Sequence, residues 1–206
     1  MATIARPASS PCTFAVAGAR WPTLPTVQAP IVLLVRGKPV NTCVASSSFS
    51  FGSHQILQGI IDDHPERKFK LMQASTHSNK LALFDLSNQN PIFKNPVVLT
   101  VLDETMDSNY NGLFYYQSFQ VNGDRQQVLY NSLQKVIADK PAAMNAGLMT
   151  SVANKAESST LVLITAWDSF EDLTAWKNSE SFASLTNFTT MGSDNYYYDE
   201  VYRSVR

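Results

Sequence analysis

The second half of the chain alternates between strand-like and helix-like segments in an order that few folds can accommodate. The stretch NGLFYYQSFQV predicts a strand. NGDRQQVLYNSLQKVIADKP predicts a helix, because its apolar residues recur on one face and Pro141 ends the segment: Leu129, Leu133, Val136 and Ile137. AAMNAGLMTSVA and STLVLITAW predict two more strands, a second helix follows, and NYYYDEVYRSV predicts a closing strand. Its three consecutive tyrosines fit an edge strand in which Tyr197 faces opposite its two neighbours. The order β-α-β-β-α-β predicts two helices packed on one face of an antiparallel sheet.

The stretch LITAWDSFEDLTAWKNSESFASLTNF is the most aromatic corner of this pattern. A buried strand ends in Trp167, and Asp168 or Ser169 is placed to cap the next helix. That helix carries three large apolar residues: Phe170, Leu173 and Trp176. Ser179 is placed to cap a further turn that carries Phe182. The aromatic residues are either ordinary core packing or the wall of a pocket for a flat, apolar molecule.

The first half predicts an incomplete version of the same unit. VASSSFSFGS reads as a strand, and the helix after it places Ile56, Leu57, Ile60 and Ile61 on one stripe before Pro65. A hairpin follows, and NPIFKNPVVLTVLDET fits either a short strand or one or two helical turns. We predict tandem ferredoxin-like units that form a pseudo-dimer within one chain, an α+β fold of the dimeric α+β barrel type. The predicted units are residues 44–104 and 105–206.

Residues 1–43 differ in composition from the rest of the chain. No Asp or Glu precedes Asp62, and six of the ten prolines lie in the first 39 residues. This composition predicts a poorly ordered extension, and an acid-poor transit peptide is the alternative interpretation.

Bulk properties argue against several classes of partner. The net charge of −1 gives no electrostatic reason to expect binding to nucleic acid or to an anionic membrane. The longest apolar run, Ile31–Val35, is much shorter than a membrane-spanning helix. The cysteines, Cys12 and Cys43, form no metal-binding motif, and their scarcity favours a reducing compartment, so we predict a cytoplasmic protein.

Two segments carry a resemblance to a known family. VNGDRQQVL, followed by LVLITAWDSFEDLTAWKNSESF, resembles the antibiotic biosynthesis monooxygenase (ABM) domain, especially its haem-degrading branch. SFSFGSHQILQGIIDDHPERKFKLMQAS and NPIFKNP resemble the N-terminal half of two-part haem-degrading monooxygenases and of the TRAP signal-transduction proteins. The resemblance covers about residues 47–206. It implies a pocket between helices and sheet in the C-terminal unit.

The resemblance also implies site residues. Haem-degrading members use an Asn on the first strand, a Trp on the third helix and a His further along as iron ligand. The Trp matches Trp176. The Asn lies seven residues before the Gly that opens the helix, here Gly123, and the His lies ten residues after the Trp, so the matching positions are Tyr116 and Thr186 and only the Trp is kept. Haem iron is held by His, Cys, Met or Tyr side chains, and Thr is a poor ligand. The histidines lie in the first half and read as surface or capping residues: His54, His64 and His77.

Three functions remain open from the sequence. The first is a monooxygenase acting on an aromatic or porphyrin-like substrate, with Trp176, Tyr116 and Thr186 as catalytic candidates and Trp167 and Phe182 lining the pocket. The second is a non-catalytic binder of a small apolar or aromatic ligand. The third is a stress-signalling or interaction protein. We predict a monomer without metal ligands or a dinucleotide cofactor, in which the haem site is largely not retained.

Overall fold

The computed structural model describes residues 45–77, 79–106, 108–152, 160–190 and 195–205. The predicted extension, residues 1–43, lies outside these ranges. The strands are β1 (Ser46–Gly52), β2 (Phe69–Ala74), β3 (Leu81–Asp85), β4 (Val97–Glu104), β5 (Leu113–Val121), β6 (Met144–Val152), β7 (Thr160–Trp167) and β8 (Asn195–Ser204). The helices are α1 (His54–Asp63), α2 (Arg125–Asp139), α3 (Phe170–Lys177), α4 (Glu180–Ala183) and a short 3₁₀ turn, Thr186–Phe188.

The eight strands close into one antiparallel barrel made of two equivalent four-stranded units. The strand order is β4-β1-β3-β2 in the first unit and β8-β5-β7-β6 in the second. Pairing of β2 with β8 and of β4 with β6 joins the units and closes the barrel. The order within each unit is that of a ferredoxin-like sheet, so the predicted α+β tandem pseudo-dimer is confirmed.

The ambiguous segment before residue 105 forms strand β4 and gives the first unit its fourth strand. Val97, Leu99 and Val101 pack against the barrel interior, whereas Val98 and Leu102 are partly exposed on the outer face. What the first unit lacks is therefore its second helix. Within the described residues, the outer face of this unit carries α1 and the loop between β3 and β4.

Apolar side chains form two cores on opposite sides of the second unit's sheet. The barrel core fills the interior with side chains such as Phe49, Phe84, Phe114, Ile164 and Tyr202. The helix-covered core lies between this sheet and the helices, and it includes Tyr115, Leu133, Trp167, Trp176 and Phe182. Because successive residues of a strand point to opposite faces, β5 contributes Phe114 to the barrel core and Tyr115 to the helix-covered core.

The closing strand β8 is central rather than at an edge. The three consecutive tyrosines suggested an edge strand, but β8 pairs with β5 on one side and β2 on the other. Barrel closure leaves no free edge there. The alternation of the tyrosines is as expected: Tyr197 packs in the helix-covered core, whereas Tyr196 and Tyr198 face the other side.

Two residues of the predicted helical stripes are on the surface. Ile56 of α1 is 63% exposed and Phe170 of α3 is 53% exposed, so each helix buries a narrower stripe than its sequence suggested. The physical reason is position, because each of these residues lies in the first turn of its helix. The predicted serine caps are present: Ser169 Oγ accepts from the Asp172 N–H, and Ser179 Oγ accepts from the Phe182 N–H.

Candidate functional site

The corner between β7 and α3 is fixed by a close approach of two backbone segments. Leu113 pairs with Trp167 across the sheet, and Gly112 lies immediately before it with φ +85°. A Cβ atom at Gly112 would lie 2.0 Å from the Trp167 carbonyl oxygen, so no larger residue fits without backbone movement. Inside the corner, Trp167 Nε1 donates to Thr165 Oγ1 at 2.8 Å. Trp167 is therefore both fully buried and fully satisfied.

Trp176 of α3 is the centre of an aromatic cluster. Its ring centroid lies 5.1 Å from that of Trp167, 4.9 Å from that of Phe182 and 6.4 Å from that of Tyr115. Trp176 is only 4% exposed, and its indole N–H has no hydrogen-bond partner among the described residues. A buried donor without an acceptor costs about 1–3 kcal/mol, so this N–H is an unusual feature of the site.

A cleft of about 360 Å³ opens beside this cluster, between the end of α2 and helices α3 and α4. We call it the tryptophan cleft. Its walls include Pro141, Trp167 and Trp176, and its polar residues include Asp139, Asp172 and Ser179. The volume lies at the lower end of the range typical of small-molecule pockets.

A directional chain of hydrogen bonds runs through the sheet beside Trp176. Tyr115 Oη donates to Asp199 Oδ2 at 2.7 Å, so the Tyr197 hydroxyl, 3.0 Å away, must donate to Tyr115. Gln117 Nε2 in turn donates to Tyr197 Oη at 3.2 Å. Burial, reinforced by the bond to Tyr197, raises the pKa of Tyr115, which keeps this phenol protonated. Lys177 Nζ lies 3.7 Å from Asp199 and closes the chain at the surface.

The structure brings together three of the five site residues predicted from the sequence. Trp167, Trp176 and Phe182 form one cluster. Tyr116 does not join them, because it points into the barrel from the opposite face of β5, where it packs against Phe49. Thr186 does not join them either. It is exposed at the start of the 3₁₀ turn, whose neighbouring Leu185 and Phe188 are the buried residues.

The polar residues of β5 that share the helix-covered side with Trp176 are Tyr115 and Gln117, and the count from Gly123 identifies neither. Gln117 is fully buried, and its Oε1 has no partner among the described residues. Gln117 carries the same amide group as the Asn expected from the resemblance to haem-degrading proteins. It follows directly after Tyr116, the position obtained by counting back from Gly123. A strict two-residue alternation anchored on buried Phe119 would have identified it.

The residues present do not fit haem. The tryptophan cleft is lined by Asp, Ser, Ala, Pro and Trp, and none of these side chains is an axial ligand of haem iron. The three histidines lie on or next to the helices and strands of the first unit. His54 and His77 are exposed, and His64 is half-buried. We therefore derive no chemistry through haem iron.

Comparisons with known proteins show the fold. No known protein family matches the chain by its sequence pattern, and no curated protein matches it either. A solved structure described as a major regulator of staphylococcal pathogenesis is similar with TM-score 0.62 and 13% identity, covering 78% of this chain and 99% of that one. A ferredoxin fold protein from Listeria monocytogenes, described as related to antibiotic biosynthesis monooxygenases, has TM-score 0.61 and 14% identity and covers 79% and 95%.

A heme-degrading enzyme from Listeria monocytogenes is also similar, with TM-score 0.59 and 14% identity, covering 77% of this chain and 98% of that chain. The resemblance inferred from the sequence is thus confirmed at the level of the fold: the chain has the tandem fold of monooxygenase-related proteins. Within the residues described, no helix has both the length and the apolar character needed to cross a bilayer.

Proposed function

We propose that the chain is a monooxygenase-type protein that binds a flat aromatic molecule in the tryptophan cleft. The observation that carries this proposal is Trp176, which lines the cleft and whose buried indole N–H has no acceptor among the described residues. A ligand oxygen placed there would accept this hydrogen bond and remove an unfavourable buried donor. The fold shared with monooxygenase-related proteins supports the reaction class.

The walls of the cleft define the ligand. Pro141, Ala142, Ala143 and Ala175 give the cleft apolar surface next to the Trp176 ring, which is 4% exposed, and Trp167 lies fully buried among the lining residues. This lining favours a flat, apolar ligand body. The ligand also needs an oxygen substituent, such as a hydroxyl or carbonyl group, to accept from Trp176. At the rim, Asp172 accepts a hydrogen bond from Ser169 Oγ at 2.6 Å, which holds a carboxylate in position to take a phenolic proton.

A monooxygenase places one atom of dioxygen in its product and reduces the other to water. The reduction takes two electrons and two protons, which an electron-rich hydroxyarene or an added reductant supplies. In this proposal the protein binds the ring, excludes water from one face and accepts a proton at Asp172. Haem iron has no role in this proposal, because none of the described residues that line the cleft is an axial ligand of haem.

Binding and oxygen uptake test the two parts of the proposal separately. We expect 2-naphthol or 1,4-dihydroxynaphthalene to bind saturably, and Trp176→Phe to weaken binding about tenfold because it removes the N–H and keeps an aromatic side chain, although a smaller one. Tyr196→Phe, which removes one exposed hydroxyl outside the cleft, is the control and should bind normally. Incorporation of ¹⁸O from labelled dioxygen into the product supports catalysis. Unchanged affinity of Trp176→Phe would exclude the proposed mode of binding.

A non-catalytic binder is the second candidate. The observation that favours it is that the described residues lining the cleft include no His, Cys or Tyr, side chains that commonly act as general acids, bases or nucleophiles. Saturable binding without oxygen uptake or ¹⁸O incorporation would establish this function. The cytoplasmic location and the monomeric state predicted from the sequence belong to both candidates.

An interaction or signalling role is the third candidate. Its support is the similar structure described as a regulator of staphylococcal pathogenesis. Failure of all the aromatic probes to bind would favour this role over the other two.

A further inference from the structure

The barrel has a cavity of its own at one end, separate from the tryptophan cleft. The cavity measures about 330 Å³ and lies where β1 and β5 end and where β3, β4 and β8 begin. Its walls include Phe49, Phe51, Tyr116, Ser118 and Tyr198, together with Lys80. Tyr116 and Ser118 lie on the face of β5 opposite to Tyr115 and Gln117, so the sheet itself separates the two sites.

The cavity wall is an aromatic box built from three strands. The rings of Phe49 and Tyr116 meet edge to face with centroids 5.8 Å apart, and those of Tyr116 and Tyr198 with centroids 6.2 Å apart. At the mouth, Phe51 is 45% exposed and Tyr196 is 54% exposed. Large aromatic side chains left in water around a concavity are typical of a ligand site.

The charge of the cavity has one sign. Among the described residues that line it, Lys80 alone is charged, and its Nζ lies 4.7 Å from the centroid of the Phe51 ring. Burial raises the pKa of Tyr116 and of Tyr198, so both phenols stay protonated. The buried carboxylate nearby, Glu200, does not line the cavity; it accepts from the hydroxyl and the N–H of Thr76 and, at 3.4 Å, from the Tyr198 hydroxyl.

We propose that this barrel cavity binds a flat aromatic acid of one or two rings. The ring stacks among Phe49, Tyr116 and Tyr198, and the carboxylate lies at the mouth against the Lys80 ammonium. The site is complete within one chain and does not depend on the function proposed for the tryptophan cleft.

The test compares 2-naphthoate with 2-naphthamide, which has the same ring system without the charge. By isothermal titration calorimetry, 2-naphthoate should bind saturably to the full chain and at least about tenfold more tightly than the amide. Lys80→Met should remove that preference. Lys135→Met, an exposed lysine of α2 that does not line the cavity, is the matched control and should retain it. Equal affinity for the acid and the amide, or no binding of either, would overturn the proposal.

A second pair of variants locates the ligand. Ser118→Phe fills the cavity and should abolish naphthoate binding, whereas Trp176→Phe should leave it unchanged. The opposite result would place naphthoate in the tryptophan cleft and refute the barrel site. If Ser118→Phe fails to fold, chemical-shift mapping on the native chain decides the question: perturbations should cluster at Phe49, Lys80 and Tyr198, and perturbations at Trp176 alone would refute the proposal.

Discussion

Replacing Tyr197 by Phe should destabilise the protein because it removes a hydrogen-bond partner of buried Gln117. The Tyr197 hydroxyl accepts from Gln117 Nε2 and donates to Tyr115, so its removal leaves the Gln117 amide without that acceptor. Gln117 is 0% exposed, and water therefore cannot replace the lost partner. Tyr115 loses less, because its own hydroxyl still donates to Asp199.

The expected loss of stability follows from the Gln117 amide, which no longer has a hydrogen-bond acceptor. A buried donor left without a partner costs about 1–3 kcal/mol, which corresponds to a fall of roughly 2–12 °C in the melting temperature of a chain of this size. Gln117→Met should behave differently, because it removes the amide together with the Oε1 that already lacks a partner. Its own effect should be near zero or stabilising, since a similar shape replaces an incompletely satisfied polar group.

A double-mutant cycle measured by urea denaturation checks this reasoning. When Gln117→Met is already present, Tyr197→Phe no longer leaves a buried amide without an acceptor. The double variant should therefore be more stable than Tyr197→Phe alone by about 1 kcal/mol. Tyr196→Phe, which removes an exposed hydroxyl from the same strand, should change stability little. Strictly additive costs in the cycle would show that the hydrogen-bond chain does not couple Gln117 to Tyr197, and the argument would fail.

Four further predictions follow from other parts of the molecule. Asp85→Ala should cost about 3–5 kcal/mol in urea denaturation, because it removes the buried carboxylate 2.5 Å from the Arg67 guanidinium and leaves that group only the Asn90 carbonyl and the exposed Glu66. Thr186→His should not create a haem site, so titration with haemin should give the same Soret band as the parent chain, because this position faces solvent. The contribution of Tyr115 to stability should be fully present below about pH 10 and be lost as the pH rises above it, since the unfolded chain releases a phenolic proton that native Tyr115, with its raised pKa, retains. A fragment of residues 105–206 should aggregate or dimerise in sedimentation experiments, because β6 and β8 lose their partners β4 and β2.

Controls distinguish these effects from general damage. Glu66→Ala, at a largely exposed carboxylate beside Arg67, should cost less than about 0.5 kcal/mol, and a similar loss to that of Asp85→Ala would refute the buried-pair argument. Tyr115→Phe should make the alkaline fall in stability less steep; an unchanged slope would mean that other groups cause it. A haemin-induced band seen only with Thr186→His would show that residue 186 faces a pocket. A monomeric, soluble 105–206 fragment would show that the second unit does not need the first unit to close the barrel.

The order of the elements was predictable because it depends on local patterns. The apolar stripe of α2, the alternation in β5 and the serine caps at Ser169 and Ser179 are all short-range signals, and the structure confirms each of them. The corner around Trp176 was predictable for the same reason. These features need no knowledge of what packs against them.

The features that sequence reasoning missed depend on long-range partners. The pairing of β5 with β7 and β8 decides which side of the sheet the Tyr116 side chain faces. Because side chains alternate along a strand, a shift of one residue in the count from Gly123 selects a residue on the opposite face. Thr186 was placed by a count of ten residues from Trp176, but Ser179 starts a new helix between them, which breaks the helical periodicity. The central position of β8 follows from barrel closure, which no local pattern encodes.

The missing helix of the first unit has a consequence for ligand stoichiometry. In a dimer of identical chains, a cleft between helices and sheet occurs twice, and the two copies can influence each other's affinity. Among the described residues, only the second unit has two successive helical segments over its sheet, α2 and then α3, with the Trp167–Trp176 corner beneath them. The tryptophan cleft therefore has no symmetry-related copy within the described chain. A ligand of this cleft should bind with a stoichiometry of one per molecule and a Hill coefficient of one. The first unit contributes the strands that close the barrel and no second copy of the cleft.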